Sequence, residues 1–252
     1  MTPAPSIEPD EGKPRDAAYW AKPLSQLKVS NLPEGAINLN VEGRQLTGPL
    51  RGFGQMWQKT YRVRLAGANV TPREVIRAWK ENFPKFWPKD AHFYAPLAGI
   101  SPGETALINA TGPGNVPIMS TGVTVIYADD ESFTFMTPEG HPFNGWVTFS
   151  ALEEDGCTVA QTQVLIRAYD PLYELGFRLR FMHKAEDRMW HHTLNSLAAH
   201  FGVQAQVQQQ VTCVDRKVQW SEAKNIWRNA GIRTAVYTMT APVRWVGRLF
   251  NR

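Results

Sequence analysis

An imidazole and a carboxylate stand three residues apart in the C-terminal half of the chain, at His183 and Glu186. Both lie in a helical pattern, where residues three apart are neighbours on the helix surface. Glu186 falls on the apolar face, and a carboxylate buried there needs a hydrogen bond, an ion pair or water. A His–Glu pair facing a cavity could move protons or anchor a polar group of a ligand. The alternative is that Glu186 pairs with an inward-pointing strand arginine or lies where the helix leaves the sheet.

The same helix face carries the other side chains that would line such a cavity. Four of them recur around Glu186 at helical spacing: Met182, Met189, Trp190 and Thr193. Flexible thioethers suit an adaptable apolar pocket, although ordinary core packing explains methionines equally well. With His183 and Glu186, we expect these residues to form one wall of a ligand site.

His141 is a further candidate for contact with a ligand, and Arg167 and Tyr169 at the end of the last strand could contact a polar group, although a capped strand end explains them equally well. His141 stands in the turn at 139–142, which we expect at the rim of a sheet. There it could gate the mouth of a cavity. A histidine placed at that position by the turn alone is the alternative.

No short motif assigns a common enzyme class or a cofactor. The sequence contains no GxSxG, HExxH, CxxC or GxGxxG pattern. Cys157 and Cys213 lack metal-ligand spacing, and the adjacent His191 and His192 must point to different sides of a helix. We therefore expect no metal and no cofactor.

The composition is that of a globular protein with an aromatic core. Hydrophobic residues make up 43% of the chain and charged residues 20%, with nine Trp and twelve Phe. We find no pattern of a secretory signal and no run of about 18 apolar residues. The expected location is the cytoplasm, where both cysteines stay reduced.

The positive charge is concentrated in the segment 220–252. This segment has six basic residues and one acidic residue, so it accounts for more than the whole net charge of +4. The rest of the chain has no electrostatic reason to bind nucleic acid. Apolar and aromatic residues among the arginines of 220–252 suit an anionic membrane surface, which would make the protein peripheral. A helix packed on the domain is the main alternative, and RNA binding is a weaker one.

Short strands and turns precede the helix that carries Glu186. Alternating polarity predicts strands at 57–65, 93–97, 104–110, 116–127, 132–137, 146–152 and 158–169. The short turns between the last four imply antiparallel neighbours. Thr71, Pro72 and Glu74 form the pattern of a capping box with proline in the first turn, so a helix starts there.

One long helix is predicted between Asp170 and Gly202. Asp170 with Pro171 is a helix start, Gly202 is a natural stop, and Gly176 could kink or divide the helix. One face of the pattern is apolar, and we expect the sheet to cover it: Leu172, Leu175, Leu179, Met182, Met189, Trp190, Thr193, Leu194, Leu197 and Phe201.

The order strand, helix, several antiparallel strands and long C-terminal helix resembles the START-like helix-grip superfamily, which includes polyketide cyclases, aromatases and lipid-transfer domains. The likeness spans 57–202 and includes the run FMTPEGHPFNGWVTFS at 135–150, which is similar to hairpins in uncharacterised bacterial members. The resemblance implies an α+β fold in which a curved antiparallel sheet wraps a long C-terminal helix. It also implies lipids, sterols or polyketides as ligands, but no residue roles.

We divide the chain into an irregular, partly disordered arm at 1–50, a helix-grip domain at 51–202 and a basic helical extension at 203–252. Two functions follow. The first is non-catalytic binding, with possible transport, of a lipid or polycyclic hydrophobic molecule between sheet and helix. The second is a cyclase or aromatase activity in which His183 and Glu186 move protons on a bound polyketone.

Overall fold

Eight antiparallel strands form one curved sheet in a computed structural model that describes residues 17–29 and 32–241. The strands are β1 (Met56–Arg64), β2 (Ala91–Tyr94), β3 (Thr105–Thr111), β4 (Pro117–Ala128), β5 (Ser132–Met136), β6 (Phe143–Glu154), β7 (Cys157–Ala168) and β8 (Gln208–Asp215). Their order in the sheet is β2-β3-β4-β5-β6-β7-β1-β8. Chain neighbours pair from β2 to β7 because their connections are short, and β1 then closes against β7.

In the described ranges, four α-helices accompany the sheet: α1 (Pro72–Phe86), α2 (Pro171–Arg178), α3 (Phe181–His200) and α4 (Ala230–Met239). The predicted capping box begins α1, with the Thr71 hydroxyl accepting from Glu74 N–H and the Glu74 carboxylate accepting from Thr71 N–H. Short 3-10 helices lie at Ala17–Tyr19, Pro49–Arg51, Pro113–Asn115 and Trp220–Arg228. The predicted fold class is confirmed: an α+β helix-grip fold with α3 held in the concave side of the sheet.

Aromatic side chains fill much of the space between the sheet and the helices. Phe83 of α1 lies at the centre, with ring centroids 5.2 Å from Phe149 and 5.3 Å from Phe135. Phe133 stacks on Phe149 at 4.7 Å, and Trp79 packs edge-on against Phe149 at 5.1 Å. Dense aromatic packing of this kind leaves little room for a guest near α1.

The predicted single long helix is wrong in one respect, because the chain breaks it into α2 and α3. The break falls at Leu179 and Arg180, and Arg180 adopts the left-handed conformation with φ of 65°. Gly176 lies against the new corner, since a Cβ there would come within 2.6 Å of Met182 Cγ. Leu172, Leu175 and Leu179 are consequently exposed and not covered by the sheet.

The segments before and after the sheet's central strands pack against it. Trp20 forms a β-bridge with Tyr127, and Leu27 with Val41 joins Leu107 in a second small core. Residues 1–16 of the predicted N-terminal arm lie outside the described residues. The glutamine-rich run after Gly202 contributes β8 at the edge beside β1, so the extension predicted at 203–252 is not helical throughout.

The described part of the basic C-terminal segment packs on the domain. The Thr234 hydroxyl of α4 accepts from Ser120 N–H of β4 at 3.0 Å, and Arg233 donates to Asn40 at 2.9 Å. Arg228 forms an ion pair with Glu139. Up to Met239 this matches the packed-helix alternative, whereas 242–252 lies outside the described residues. In the part of the chain that the structure describes, no helix is long and apolar enough to cross a membrane.

Candidate functional site

A small apolar cavity remains between the sheet and α3, and we call it the inner cavity. Its volume is about 110 Å³. The lining residues are Trp87, Ala91, Ile108, Ala110, Met119, Val123, Phe135, Thr137, His141, Phe143, Trp146, Val147, Val164, Ile166, Glu186, Met189 and Trp190. Cavities of roughly 150 Å³ with an apolar lining hold benzene, whereas drug-sized ligands occupy roughly 300 Å³ or more. The inner cavity therefore has room for at most one small ring.

Glu186 brings a carboxylate to the wall of this cavity. Its side chain is 1% exposed, and Lys59 Nζ lies 2.7 Å from Oε2. Among the described residues neither carboxylate oxygen has a well-aligned hydrogen-bond partner. Burial raises the pKa of Glu186, while Lys59 and the Trp190 indole N–H oppose that rise. Buried polar atoms are normally satisfied, so this carboxylate is an anomaly of the cavity wall, as are the indole N–H groups of Trp87 and Trp190, which also lack a well-aligned partner among the described residues.

Lys59 reaches Glu186 from the middle of β1. The ammonium also donates to Asp187 Oδ1 at 2.7 Å, and the Tyr61 hydroxyl donates to the same oxygen at 2.7 Å. Burial and the two nearby carboxylates raise the pKa of Tyr61. Burial would raise the pKa of Asp187, but the bonds from Lys59 and Tyr61 outweigh it and lower that pKa. The alternative predicted for Glu186 is thus close to the observed arrangement, with a strand lysine in place of an arginine.

A second, larger depression, which we call the outer groove, lies between the edge of the sheet and the α2–α3 corner. Its volume is about 980 Å³. Its lining residues are Gln55, Trp57, Lys59, Phe177, Arg178, Arg180, His183, Asp187, Gln209 and Val211. Lys59 lines the outer groove and Glu186 lines the inner cavity. The Lys59–Glu186 ion pair therefore forms part of the wall between the two spaces.

His183 belongs to the outer groove and not to the inner cavity. Its ring sits edge-on between Trp57 and Phe177, with both centroid distances 4.8 Å. Burial, helped by the charge of Lys59, lowers the pKa of His183 to about 4. The expected hydrogen-bonded pair of His183 and Glu186 is therefore not formed, because the two side chains leave α3 toward different spaces.

His141 lies beside the inner cavity, as its turn position suggested. It is buried, and its Nδ1 accepts from Phe143 N–H at 3.1 Å. Burial lowers the pKa of His141 to about 4, so the ring is neutral near pH 7. The neutral, hydrogen-bonded imidazole of His141 therefore forms part of the lining of the inner cavity.

The remaining predicted residues divide between lining and packing. Met189 and Trp190 line the inner cavity with Glu186. Thr193 is buried and donates its hydroxyl to Met189 O at 3.0 Å, so it serves the helix backbone. Met182 packs against the core beside the α2–α3 corner. Neither Met182 nor Thr193 lines either space.

Three residues of the polar network went unpredicted: Lys59, Tyr61 and Asp187. Lys59 shares the inward parity of Trp57 and Tyr61 on β1, and that period-2 pattern was the available signal. The sequence contains no such signal for Asp187, because a charged residue beside the apolar face of a helix is usually solvated. Within the described ranges no group of three or more His, Cys, Asp or Glu residues could hold a metal ion.

No family model and no curated protein matches the chain. Solved structures match at low identity. Protein Ms6760 from Mycobacterium smegmatis is 16% identical with a TM-score of 0.40, over 63% of this chain and 96% of that one. The di-domain ARO/CYC StfQ from the steffimycin biosynthetic pathway is 11% identical with a TM-score of 0.44, over 58% of this chain and 50% of that one. Ara h 8.0201 is 13% identical with a TM-score of 0.39, over 58% of this chain and 97% of that one. These likenesses concern the fold alone.

Proposed function

We propose that the protein binds an apolar small molecule in the inner cavity and that Glu186 holds a polar group of that molecule. The observation that carries the proposal is the Glu186 carboxylate, buried at an otherwise apolar wall without a well-aligned hydrogen-bond partner among the described residues. A ligand hydroxyl or amine would donate to this carboxylate in addition to its ion pair with Lys59. The apolar part of the ligand would gain free energy by leaving water.

The volume of the inner cavity limits what enters it without rearrangement. About 110 Å³ accepts one ring or a short branch, not a whole lipid or polycyclic molecule. For a lipid or polycyclic ligand, the class expected from the sequence, Met189 and Trp190 would have to adopt other rotamers. Methionine tolerates such changes because its side chain is unbranched and flexible.

The arrangement favours binding over proton transfer. An acid–base pair on one substrate needs both groups within hydrogen-bond reach of the reacting atoms. His183 faces the outer groove, Glu186 faces the inner cavity, and Lys59 occupies the place next to Glu186. A cyclase-type reaction through this pair therefore has no observation in its favour.

Two probes that differ only by a hydroxyl test the proposal. We expect p-cresol to bind the wild-type protein about tenfold more tightly than toluene, since a hydrogen bond to a charged group contributes roughly 1.5–3 kcal/mol. In Glu186→Gln this preference should shrink, while toluene binding stays similar. Isothermal titration calorimetry and amide chemical shifts measure both affinities, and native mass spectrometry of freshly purified protein shows whether a ligand co-purifies.

A filled-cavity variant supplies the control. Ala110 lines the inner cavity, so Ala110→Phe should abolish binding of both probes. Ala98 lies in an exposed turn, and Ala98→Phe adds the same ring without touching the cavity. Equal binding by wild type and Ala110→Phe, or no preference for p-cresol in the wild type, contradicts the proposal.

A further inference from the structure

Large apolar side chains at the α2–α3 corner are exposed to solvent. Leu172, Leu175 and Leu179 are 46%, 52% and 65% exposed, and Phe181 is 56% exposed. Scattered exposed leucines are ordinary on protein surfaces, but a contiguous group marks a site of interaction. These four residues lie between positions 172 and 181. Whether they are scattered or form one contiguous surface depends on how α2 and α3 arrange them.

The arrangement makes them one surface. Leu172 and Leu175 lie on the outer side of α2, and Leu179, directly after the helix, continues their spacing of three and four, whereas Glu174 and Phe177 are buried on the other side. Phe181 follows the turn and lies against α2, because a Cβ at Gly176 would be 2.7 Å from its Cζ. The left-handed residue Arg180 lies at the turn between the two helices, next to the exposed Leu179 and Phe181.

Positive charge borders this corner. Four exposed basic residues stand on it or on the adjoining turns of α3: Arg178, Arg180, Lys184 and Arg188. The acidic side chains between Pro171 and Arg188 are buried or half-buried. Glu174 is buried and paired with Arg178, and Asp187 is bonded to Lys59 and Tyr61. The corner therefore presents exposed leucines among cations, with no exposed acid between Pro171 and Arg188.

We propose that the α2–α3 corner docks on an anionic lipid surface. Its apolar residues enter the boundary between headgroups and acyl chains, and its basic residues contact lipid phosphates, as in interfacial helices. A second copy of the chain is a poorer occupant, because two such corners would bring like charges together. This proposal is independent of the ligand in the inner cavity and of the membrane role predicted for 220–252.

Docking at this corner has a consequence for the outer groove. Arg178 and Arg180 line that groove, so its rim belongs to the docked surface. The groove would then face the membrane, with the Lys59–Glu186 ion pair between it and the inner cavity. An amphiphile leaving the bilayer would meet the groove first.

Liposome flotation of the full chain tests the proposal. We expect wild type to float with vesicles of phosphatidylcholine and phosphatidylglycerol, less so at high salt, and not with phosphatidylcholine alone. Leu175→Glu with Leu179→Glu should abolish flotation. Lys184→Ala with Arg188→Ala should weaken partitioning about fivefold for each charge removed. Leu50→Glu with Leu97→Glu is the matched control, since both leucines are exposed elsewhere and the charge change is identical.

Several outcomes overturn the proposal. Equal flotation of the Leu175/Leu179 double variant and the Leu50/Leu97 double variant would do so. Loss of flotation only in a variant with Arg244, Arg248 and Arg252 changed to Ala would assign the membrane contact to the C-terminal segment. A dimer in light scattering that the Leu175/Leu179 variant dissociates would assign the corner to self-association. Circular dichroism and unfolding curves exclude misfolding, and the alanine variants give a second reading if the Glu variant unfolds.

Discussion

At the scale of single residues, the Lys59–Glu186 pair is the most demanding feature of the fold. Both side chains are about 1% exposed, and desolvating two charges costs several kcal/mol for each ion before their attraction offsets it. Asp187 and Tyr61 complete the network around Lys59, and neither oxygen of Glu186 has a well-aligned hydrogen-bond partner among the described residues. Such a costly arrangement is consistent with a role in holding a ligand.

Breaking this pair from one side should be far worse than replacing both members. We expect Lys59→Met to lower the free energy of unfolding by about 3–5 kcal/mol at neutral pH, because Glu186 would be left as an uncompensated buried charge. The double variant Lys59→Met with Glu186→Leu should recover most of that loss. Urea unfolding measures both. A double variant as unstable as the single one would show that packing of the Lys59 side chain, and not its charge, is what stabilises the fold.

The anomaly at Glu186 was visible in the sequence, but its partner was not. A carboxylate on an apolar helix face must be compensated, and that much follows from helical spacing. Lys59 could be placed on the inward side of β1 by its parity with Tyr61. Which of several inward groups meets Glu186 depends on how α3 crosses β1, which no local pattern encodes.

At the scale of elements, the prediction and the structure differ at the break between α2 and α3. The sequence pattern predicts one long helix, and the structure contains two. The apolar spacing continues from Leu172 through Leu179 into α3, so the sequence pattern alone predicts a single helix with one face covered by the sheet. Asp170 still caps α2 as predicted, with its carboxylate accepting from Leu172 N–H and Tyr173 N–H. The end of α2 depends on Arg180, an L residue in a conformation that glycine favours.

Replacing Arg180 should reveal that conformational cost. For a residue with a Cβ the left-handed region costs roughly 1–2 kcal/mol, and the greater unfolded-state freedom of glycine offsets part of the relief. We therefore expect Arg180→Gly to be about 1 kcal/mol more stable than Arg180→Ala. The two variants lose the same charge, so the comparison isolates the backbone. Thermal and urea unfolding check it, and equal stabilities would mean that the corner relaxes away from φ of 65°.

At the scale of the whole molecule, one buried and one half-buried histidine make folding stability depend on pH. Burial lowers the pKa of His141 from 6.5 to about 4, so the unfolded chain binds a proton more readily between those values. The stabilisation is complete above pH 6.5 and is lost as the pH falls toward 4. His183 acts in the same direction.

A substitution of His141 should flatten this dependence. We expect the stability of His141→Gln to fall less steeply between pH 6.5 and 4 than that of wild type, with a difference of up to about 1.4 kcal/mol per pH unit. His92→Gln is the matched control, because His92 is exposed. Urea unfolding at a series of pH values measures the slopes. Parallel curves for wild type and His141→Gln would contradict the assignment.

Local patterns were enough to establish the antiparallel strands β1 to β7, the capped start of α1 and the charged anomaly at position 186. Alternation, turn residues and caps act over a few neighbouring residues, so the chain specifies them before it is folded. The size of the inner cavity, the Lys59–Glu186 contact and the exposure of Leu175 and Leu179 came from the folded arrangement. Each depends on residues far apart in sequence, such as Phe83 packing between Phe135 and Phe149, and it is long-range packing that sets how much space remains.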